Sequence, residues 1–253
     1  MALSQEKVIL FFLLSACDRS APTPPPPPSA PAPSVAPLAS VTLDAATEPR
    51  FEPVVGDWRE EEAAGVKGFA VDGTKWSSGT PSANLADQAK KLYGDRYAEF
   101  LDGVKAFAFF PLAVARDEPP AGDFEISVRF YPIAGKIDQG AGIAFGIAPD
   151  GSYWGVRANA LEDNLLWFHV VKGKRTVIDN VRNVPTPSRT WHTLSVSLTG
   201  KKLEATLDGT KRFEKTLDVV PQGRVGLWSK ADSHVLFDDF KIRDSSRKEG
   251  GTK

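Results

Sequence analysis

The sequence predicts an all-β fold, an antiparallel β-sandwich with one or two short helices. The main evidence is a regular alternation of core-type and polar residues in two long segments. The core-type positions are Phe124, Ile126, Val128 and Phe130 in the first segment and His192, Leu194, Val196 and Leu198 in the second. A side-chain period of two places one face of a strand on a core and the other in water, as in antiparallel sheets.

Turn signals between the apolar runs support the same fold. Residues 149–152 (Pro-Asp-Gly-Ser) and 172–174 (Lys-Gly-Lys) each separate two apolar runs. Asp208 and Gly209 follow Leu207, and an Asp-Gly pair favours a tight primed turn because both central residues need a positive φ. Many short strands joined by such turns are typical of a sandwich or jelly roll.

One segment departs from the strand pattern. Residues 84–103 are rich in helix formers, and Leu85, Ala89 and Leu92 share one helical face. Because Gly94 interrupts this segment, we predict one or two short helices packed on the edge of the sandwich. A strand over residues 107–115 is expected to follow.

The N-terminal part predicts an exported, lipid-anchored protein. An apolar run over residues 8–13 leads into Leu-Ser-Ala-Cys at 14–17, which is similar to a bacterial lipobox. The run is too short for a permanent transmembrane helix, so residues 1–17 are expected to be a lipoprotein signal peptide. Cys17 would then carry the lipid, which predicts an attachment to the inner or outer membrane of a bacterial cell envelope.

Proline dominates the segment that follows. Residues 18–50 include the run APTPPPPPSAPAPSVAP, which can join neither a helix nor a sheet, so we expect a disordered, extended tether. Residues 51–244 would form the sandwich and residues 245–253 a polar tail. Cys17 is the single cysteine, so the domain must fold without an internal disulfide.

Three stretches carry a resemblance to a known fold family. They are residues 151–157 (GSYWGVR), residues 191–194 with 207–209, and residues 223–233 continuing into 237–240. Their order resembles concanavalin A-like jelly rolls, especially laminin-G-like and 3-keto-disaccharide-hydrolase-like domains of bacterial exported proteins. The resemblance covers about residues 51–244 and implies the lectin and glucanase type of sandwich.

The sequence favours binding over catalysis, and no catalytic residue is assigned. The Glu-x-Asp-x-x-Glu motif of family-16 glucanases is absent. Asp238 and Asp239 are adjacent, so on a strand they point to opposite faces and cannot work as a pair. A hydrolase acting on disaccharides or 3-keto-disaccharides is the alternative that the resemblance implies, and a structural or protein-interaction role is the third.

No cofactor is expected, and calcium is the one metal that we consider. Asp232, Asp238 and Asp239 could supply oxygen ligands near one end of the sandwich, but we favour the simpler interpretation that they are solvated carboxylates at turns and edges. The histidine spacing does not suggest zinc. His192 falls in the inward phase of its strand, which predicts a hydrogen-bonded core histidine.

The expected partner is carbohydrate or another cell-envelope glycan. Sugars have flat apolar faces ringed by hydroxyls, so their sites combine aromatic rings with convergent polar groups. Tyr153, Arg157 and Asn159 share one strand face and form our first group of candidates. A second group contains Trp167, His169 and Trp228. The membrane is a further partner through the lipid, whereas a net charge of −1 argues against nucleic acid.

Overall fold

The computed structural model describes residues 50–77, 109–171 and 173–244. The predicted signal peptide, the tether up to residue 49, the helices predicted at 84–103 and the polar tail lie outside the described residues. The described residues contain one four-residue helix, α1 (Thr74–Ser77), and fourteen strands. The strands are β1 (Phe51–Val55), β2 (Trp58–Ala63), β3 (Val66–Asp72), β4 (Leu112–Ala115), β5 (Phe124–Ala134), β6 (Gly140–Ile147), β7 (Tyr153–Asn159), β8 (Asn164–Val171), β9 (Lys174–Arg182), β10 (His192–Thr199), β11 (Lys202–Leu207), β12 (Thr210–Thr216), β13 (Arg224–Ser229) and β14 (His234–Asp244).

These strands form two seven-stranded antiparallel sheets. The first sheet has the order β1-β4-β13-β6-β7-β8-β9, and the second has the order β12-β11-β10-β5-β14-β3-β2. The predicted alternation is confirmed: β5 and β10 pair in register, and each buries every second residue over most of its length. The main core lies between the sheets, where Ile143 and Val156 of the first sheet join the same cluster as Ile126 and Val196 of the second.

Two local predictions have different outcomes. The Asp-Gly turn between β11 and β12 is confirmed, because Asp208 has a φ of 52° and Gly209 a φ of 73°. The strand predicted over 107–115 is too long, since β4 begins only at Leu112. Pro111 directly precedes β4, and a proline has no backbone N–H to donate to a sheet.

A second apolar cluster covers the outer face of the first sheet, on the side away from the main core. Its members come from β4, β6, β7, β8, β13 and the residues before β4. They are Phe110, Leu112, Val114, Ala144, Tyr153, Leu166, Phe168, Val170 and Trp228. The first sheet is therefore buried on both faces over much of its area. Among the described residues, no helix is long and apolar enough to cross a membrane.

Candidate functional site

The hairpin of β7 and β8 carries most of the residues predicted to form a site, and it divides them between its two faces. Tyr153, Arg157 and Asn159 lie on the outer face of the first sheet, as the period of two requires. Trp167 and His169 point to the inner side, toward the second sheet. The two candidate groups therefore belong to different surfaces, except that Trp228 joins the outer cluster of the first group.

The aromatic members of the outer face pack as a core. Trp228 is 0 % exposed, and its Nε1 donates a hydrogen bond of 3.1 Å to the Tyr153 hydroxyl. The Trp228 ring also contacts Phe168, with centroids 4.8 Å apart. Burial raises the pKa of Tyr153 to about 12, against the opposing effect of the hydrogen bond from Trp228. In this structure these two rings form packed interior and not an open surface.

Arg157 and Asn159 belong to a buried polar network beside this cluster. Arg157 Nη2 donates to Glu162 Oε2 at 2.6 Å and its Nη1 to Asn164 Oδ1 at 2.6 Å. Asn159 Nδ2 donates to Asp138 Oδ1 at 2.6 Å. Lys230 completes the set, with its Nζ 3.1 Å from Asp138 Oδ2. The polar network thus consists of Asp138, Arg157, Asn159, Glu162, Asn164 and Lys230.

The two carboxylates of the polar network have opposite protonation preferences. Burial raises the pKa of Asp138, and the favourable charge of Lys230 opposes this only in part. Burial also acts to raise the pKa of Glu162, but the charges of Arg157 and Lys230 and the hydrogen bonds from Arg157 and Asn164 together outweigh it and hold that pKa well below its usual range. At neutral pH Glu162 is therefore a carboxylate ion-paired to Arg157.

The calcium candidates have protein partners that differ from one aspartate to the next. The Asp232 carboxylate is buried and accepts hydrogen bonds from the backbone N–H groups of residues 136–138, at 2.6–3.1 Å. Asp238 lies 3.5 Å from Arg129, and Asp239 lies 2.7 Å from Lys241. Across residues 50–77, 109–171 and 173–244, no group of three or more His, Cys, Asp or Glu side chains could hold a metal ion.

His192 is a core histidine, which confirms its predicted role. It is buried, with Nδ1 2.8 Å from Asp208 Oδ2 and Nε2 3.0 Å from the Pro187 carbonyl oxygen. His234 lies elsewhere on the second sheet, 2.8 Å from Glu61. Neither ring faces a serine hydroxyl or a thiol in these contacts, so they give no support to a nucleophilic mechanism.

The inner side of the hairpin ends in a stacked pair of rings. Trp154 and His169 lie opposite each other on β7 and β8, with ring centroids 3.9 Å apart and planes within 10° of parallel. Both side chains are only partly buried. The indole of Trp167 lies behind them, 5.8 Å from Trp154, and Phe213 of β12 lies 6.0 Å beyond Trp167. A row of rings therefore runs from the edge of the sandwich into its core.

Polar groups surround the outer end of this row. Trp154 covers one face of the His169 ring, and the residue opposite His169 on the edge strand β9 is the exposed Thr176. Asp179 follows on β9, opposite Trp167, and makes an ion pair of 3.0 Å with Lys215 of β12. We call the surface formed by Trp154, Trp167, His169 and Thr176 the edge platform.

The edge platform has hydrogen-bonding groups that no other described residue uses. Burial lowers the pKa of His169, so its ring is neutral at pH 7 and has one donor and one acceptor. Neither ring nitrogen makes a hydrogen bond with another residue in the described part of the chain. The Trp167 Nε1–H is buried and likewise has no acceptor among those residues. A buried donor without an acceptor is costly, which makes this position a natural place for an ordered water.

Sequence reasoning missed several of these residues for physical reasons. Asp138 and Glu162 lie outside the strands, in two separate connections, and only the fold brings them together with Arg157 and Lys230. Trp154 lies on the opposite face from Tyr153, and its stacking on His169 depends on the register of two strands. Thr176 carried no signal, because an exposed strand threonine is common.

The fold defines the class of this domain: a two-sheet antiparallel sandwich with very little helix in its described residues. It is similar to the carbohydrate-binding module CBM66 from Bacillus subtilis, at a TM-score of 0.54 and 14 % identity, over 77 % of this chain and 96 % of that chain. This similarity confirms the predicted concanavalin A-like jelly-roll fold.

Weaker similarities are to proteins with a galectin-like fold. One is a Bacillus subtilis protein of unknown function, at 12 % identity and a TM-score of 0.44, over 54 % of this chain and 78 % of that chain. Another is sheep galectin-11 in complex with glycerol, at 6 % identity and a TM-score of 0.40, over 53 % of this chain and 96 % of that chain. Similarities this weak carry no argument about function. No family model and no curated protein matches the chain.

Proposed function

We propose that this sandwich binds carbohydrate non-covalently and that the edge platform is its binding site. The observation that carries the proposal is the Trp154–His169 stack, which is partly exposed and in which the His169 ring nitrogens make no hydrogen bond with another described residue. An imidazole face can pack against the apolar face of a sugar ring, while its nitrogens bind hydroxyls. The hydroxyl of Thr176 supplies a further donor and acceptor beside the ring.

The fold supports this ligand class. The structure to which the sandwich is similar over most of its length is named as a carbohydrate-binding module. A shared fold does not fix a function, so the local chemistry has to carry the argument. The charges at the edge platform balance, because Asp179 is paired with Lys215. We therefore infer an uncharged sugar, presented by a cell-envelope glycan or another polysaccharide.

The first candidate group remains a competing site on the outer face. Tyr153, Arg157 and Asn159 are all at most 5 % exposed, and their polar groups are engaged in internal hydrogen bonds. A sugar that bound there would have to replace these bonds and gain access to a buried face. We favour the edge platform because Trp154, His169 and Thr176 are partly or fully exposed, so a sugar could reach them without entering a buried face.

The proposal predicts a selective loss of glycan binding in edge-platform variants. His169→Ala removes the stacking face and two ring nitrogens, so we expect binding at least about tenfold weaker, about 1.4 kcal/mol. Thr176→Val keeps the shape of the side chain and loses its hydroxyl, so a smaller loss is expected. The measurement is a glycan array that includes peptidoglycan fragments, probed with the full-length chain in detergent, with and without calcium.

Two controls separate this site from the alternatives. Val219→Ala changes an exposed residue outside the edge platform and should leave binding unchanged. Arg157→Ala tests the outer face. If Arg157→Ala abolished binding in a folded chain while His169→Ala did not, the first candidate group would be the site and the edge platform would be excluded.

A hydrolase acting on disaccharides or 3-keto-disaccharides is a second candidate function. The polar network favours it in one respect, because Asp138 and Glu162 are buried carboxylates whose pKa values are shifted in opposite directions. Such pairs can divide the roles of acid and base. Release of monosaccharide from a panel of disaccharides, lost in Asp138→Asn, would support this function over pure binding.

We also propose that the mature chain is a lipoprotein held in the cell envelope by a lipid on Cys17. The support is the apolar run and small residues before the single cysteine, followed by a proline-rich segment suited to a tether. The test is metabolic labelling with a radioactive fatty acid. Label should enter the wild-type chain and not Cys17→Ala. Equal labelling of both chains would contradict the proposal.

A further inference from the structure

The outer face of the second sheet has an aromatic ridge that the proposed site does not use. Tyr131 of β5 and Trp191, which directly precedes β10, lie side by side with ring centroids 5.3 Å apart. Both are partly exposed. The Arg129 guanidinium lies over the Trp191 ring at 4.5 Å and is 3.5 Å from Asp238, so the charge at the ridge is balanced.

A flat floor of small hydroxyl side chains extends from this ridge. Ser127 of β5 lies opposite Ser195 of β10, which in turn lies opposite Thr206 of β11. Thr193 and Ser197 are on the same face of β10, because residues two apart on a strand share a face. These five side chains are short and lie at exposed or partly exposed positions. The ridge therefore stands above a floor rich in hydrogen-bonding groups.

The composition of this surface fits a sugar chain better than a protein partner. The centre of a stable protein interface is apolar, and the centre of this floor consists of serine and threonine. Each hydroxyl can both donate and accept, as a sugar hydroxyl does. Strands lie about 4.8 Å apart, so the surface across β14, β5, β10 and β11 spans about 14 Å. That span is longer than one sugar ring.

We propose that this ridge and floor form a second carbohydrate-binding surface, which takes an extended, uncharged polysaccharide chain. The ligand class rests on the proposed function, but the residues are independent of the edge platform and lie on the other sheet. A chain bound across the second sheet and a chain bound at the edge of the first could be held at the same time. The domain would then gain affinity for a polymer by binding it twice.

The test uses the full-length chain and measures how many glycan sites it has and which site each variant removes. Isothermal titration with soluble oligosaccharides of cellulose, chitin and peptidoglycan should give two sites per chain. Ser195→Lys should remove one of them, because a long side chain then rises from the floor while the inward residues stay unchanged. Trp191→Ala should remove the same site, and His169→Ala the other. Val54→Lys, at an exposed position on β1, is the matched control for an added surface charge.

The outcomes distinguish the two sites. Two sites that fall to one in Ser195→Lys, with polymer binding weakened at least about tenfold, would support the proposal. A single site that Ser195→Lys and Trp191→Ala leave intact would overturn it, even if His169→Ala removed that site. One site lost in Ser195→Lys and kept in His169→Ala would support the second surface and refute the edge platform. No binding to any glycan would overturn both.

Discussion

Arg157 lies two residues before the end of β7 and His169 two residues before the end of β8, yet their surroundings assign them different tasks. Arg157 is 0 % exposed, and its guanidinium is fixed by Glu162 and Asn164. Removing one partner of such a buried pair is strongly destabilising. His169 is partly exposed, neutral and without hydrogen bonds to other described residues. Arg157 is therefore suited to stabilising the fold, and His169 is suited to binding a ligand.

Tyr153 allows a prediction about alkaline pH. Its pKa is about 12 in the folded chain because of burial, against an ordinary value of 10.0. Above pH 10 the unfolded chain therefore releases this proton more readily than the folded chain. The free energy of unfolding should fall as the pH rises from about 10 to 12, by up to about 1.4 kcal/mol per pH unit from this group.

The comparison of wild type with Tyr153→Phe isolates this contribution. The variant lacks the titrating hydroxyl, so its free energy of unfolding should decline less steeply over the same range. Urea unfolding followed at several pH values between 9 and 12 measures both slopes. Parallel curves for the two proteins would contradict the assignment of a raised pKa to Tyr153.

Single residues show most clearly what could not be predicted from the sequence. Period two correctly placed Tyr153, Arg157 and Asn159 on a common face, and it correctly made His192 a core residue. It could not show that this outer face is itself buried, because a period of two separates faces without saying what covers either of them. The tyrosine and arginine were therefore expected at an open surface that the structure does not have.

At the scale of elements, the polar network joins three connections of the first sheet. Asp138 comes from the loop between β5 and β6, Glu162 from the turn between β7 and β8, and Lys230 from the loop between β13 and β14. Asp232 adds to this by accepting backbone hydrogen bonds from the β5–β6 loop. The network thus fixes one end of the sandwich.

Removing one charge from the polar network should lower the free energy of unfolding substantially. In Lys230→Met the Asp138 carboxylate loses its partner in a site where both groups are at most 2 % exposed. We expect a loss of about 3 kcal/mol or more in the free energy of unfolding. Adding Asp138→Asn should recover part of this loss, because the uncharged amide needs no counter-charge. Urea denaturation of both variants provides the measurement.

Lys241→Met is the matched control for this pair. Lys241 and Asp239 form an ion pair of 2.7 Å whose side chains are 29 % and 43 % exposed. Exposed pairs contribute about 0–1 kcal/mol, so the control should change stability little. Equal losses in Lys230→Met and Lys241→Met would show that burial does not set the strength of the Lys230 pair.

Local signals predicted elements well where one residue type controls the backbone. The Asp208–Gly209 turn depends on two positive φ values, and that requirement is visible in the sequence. The length of β4 was misjudged because the apolar run before it suggested a strand, while Pro111 ends the ladder. The helices predicted at 84–103 lie outside the described residues and stay a prediction.

For the whole molecule, the fold was predictable and the place of the site was not. Alternation and turn spacing are repeated along the entire domain, so many weak signals agree on a sandwich. The edge platform depends on the register of β7, β8 and β9 and on the approach of β12, which are properties of the assembled sheets. Such contacts join residues far apart in the chain and leave no local pattern.

The measurement that tests the central claim most directly is a crystal structure of the chain with the glycan that binds best on the array. The account predicts a sugar ring packed on the free face of His169, with a hydroxyl within hydrogen-bonding distance of Thr176. A glycan bound elsewhere, with the His169 ring left empty, would contradict the assignment of the edge platform as the binding site.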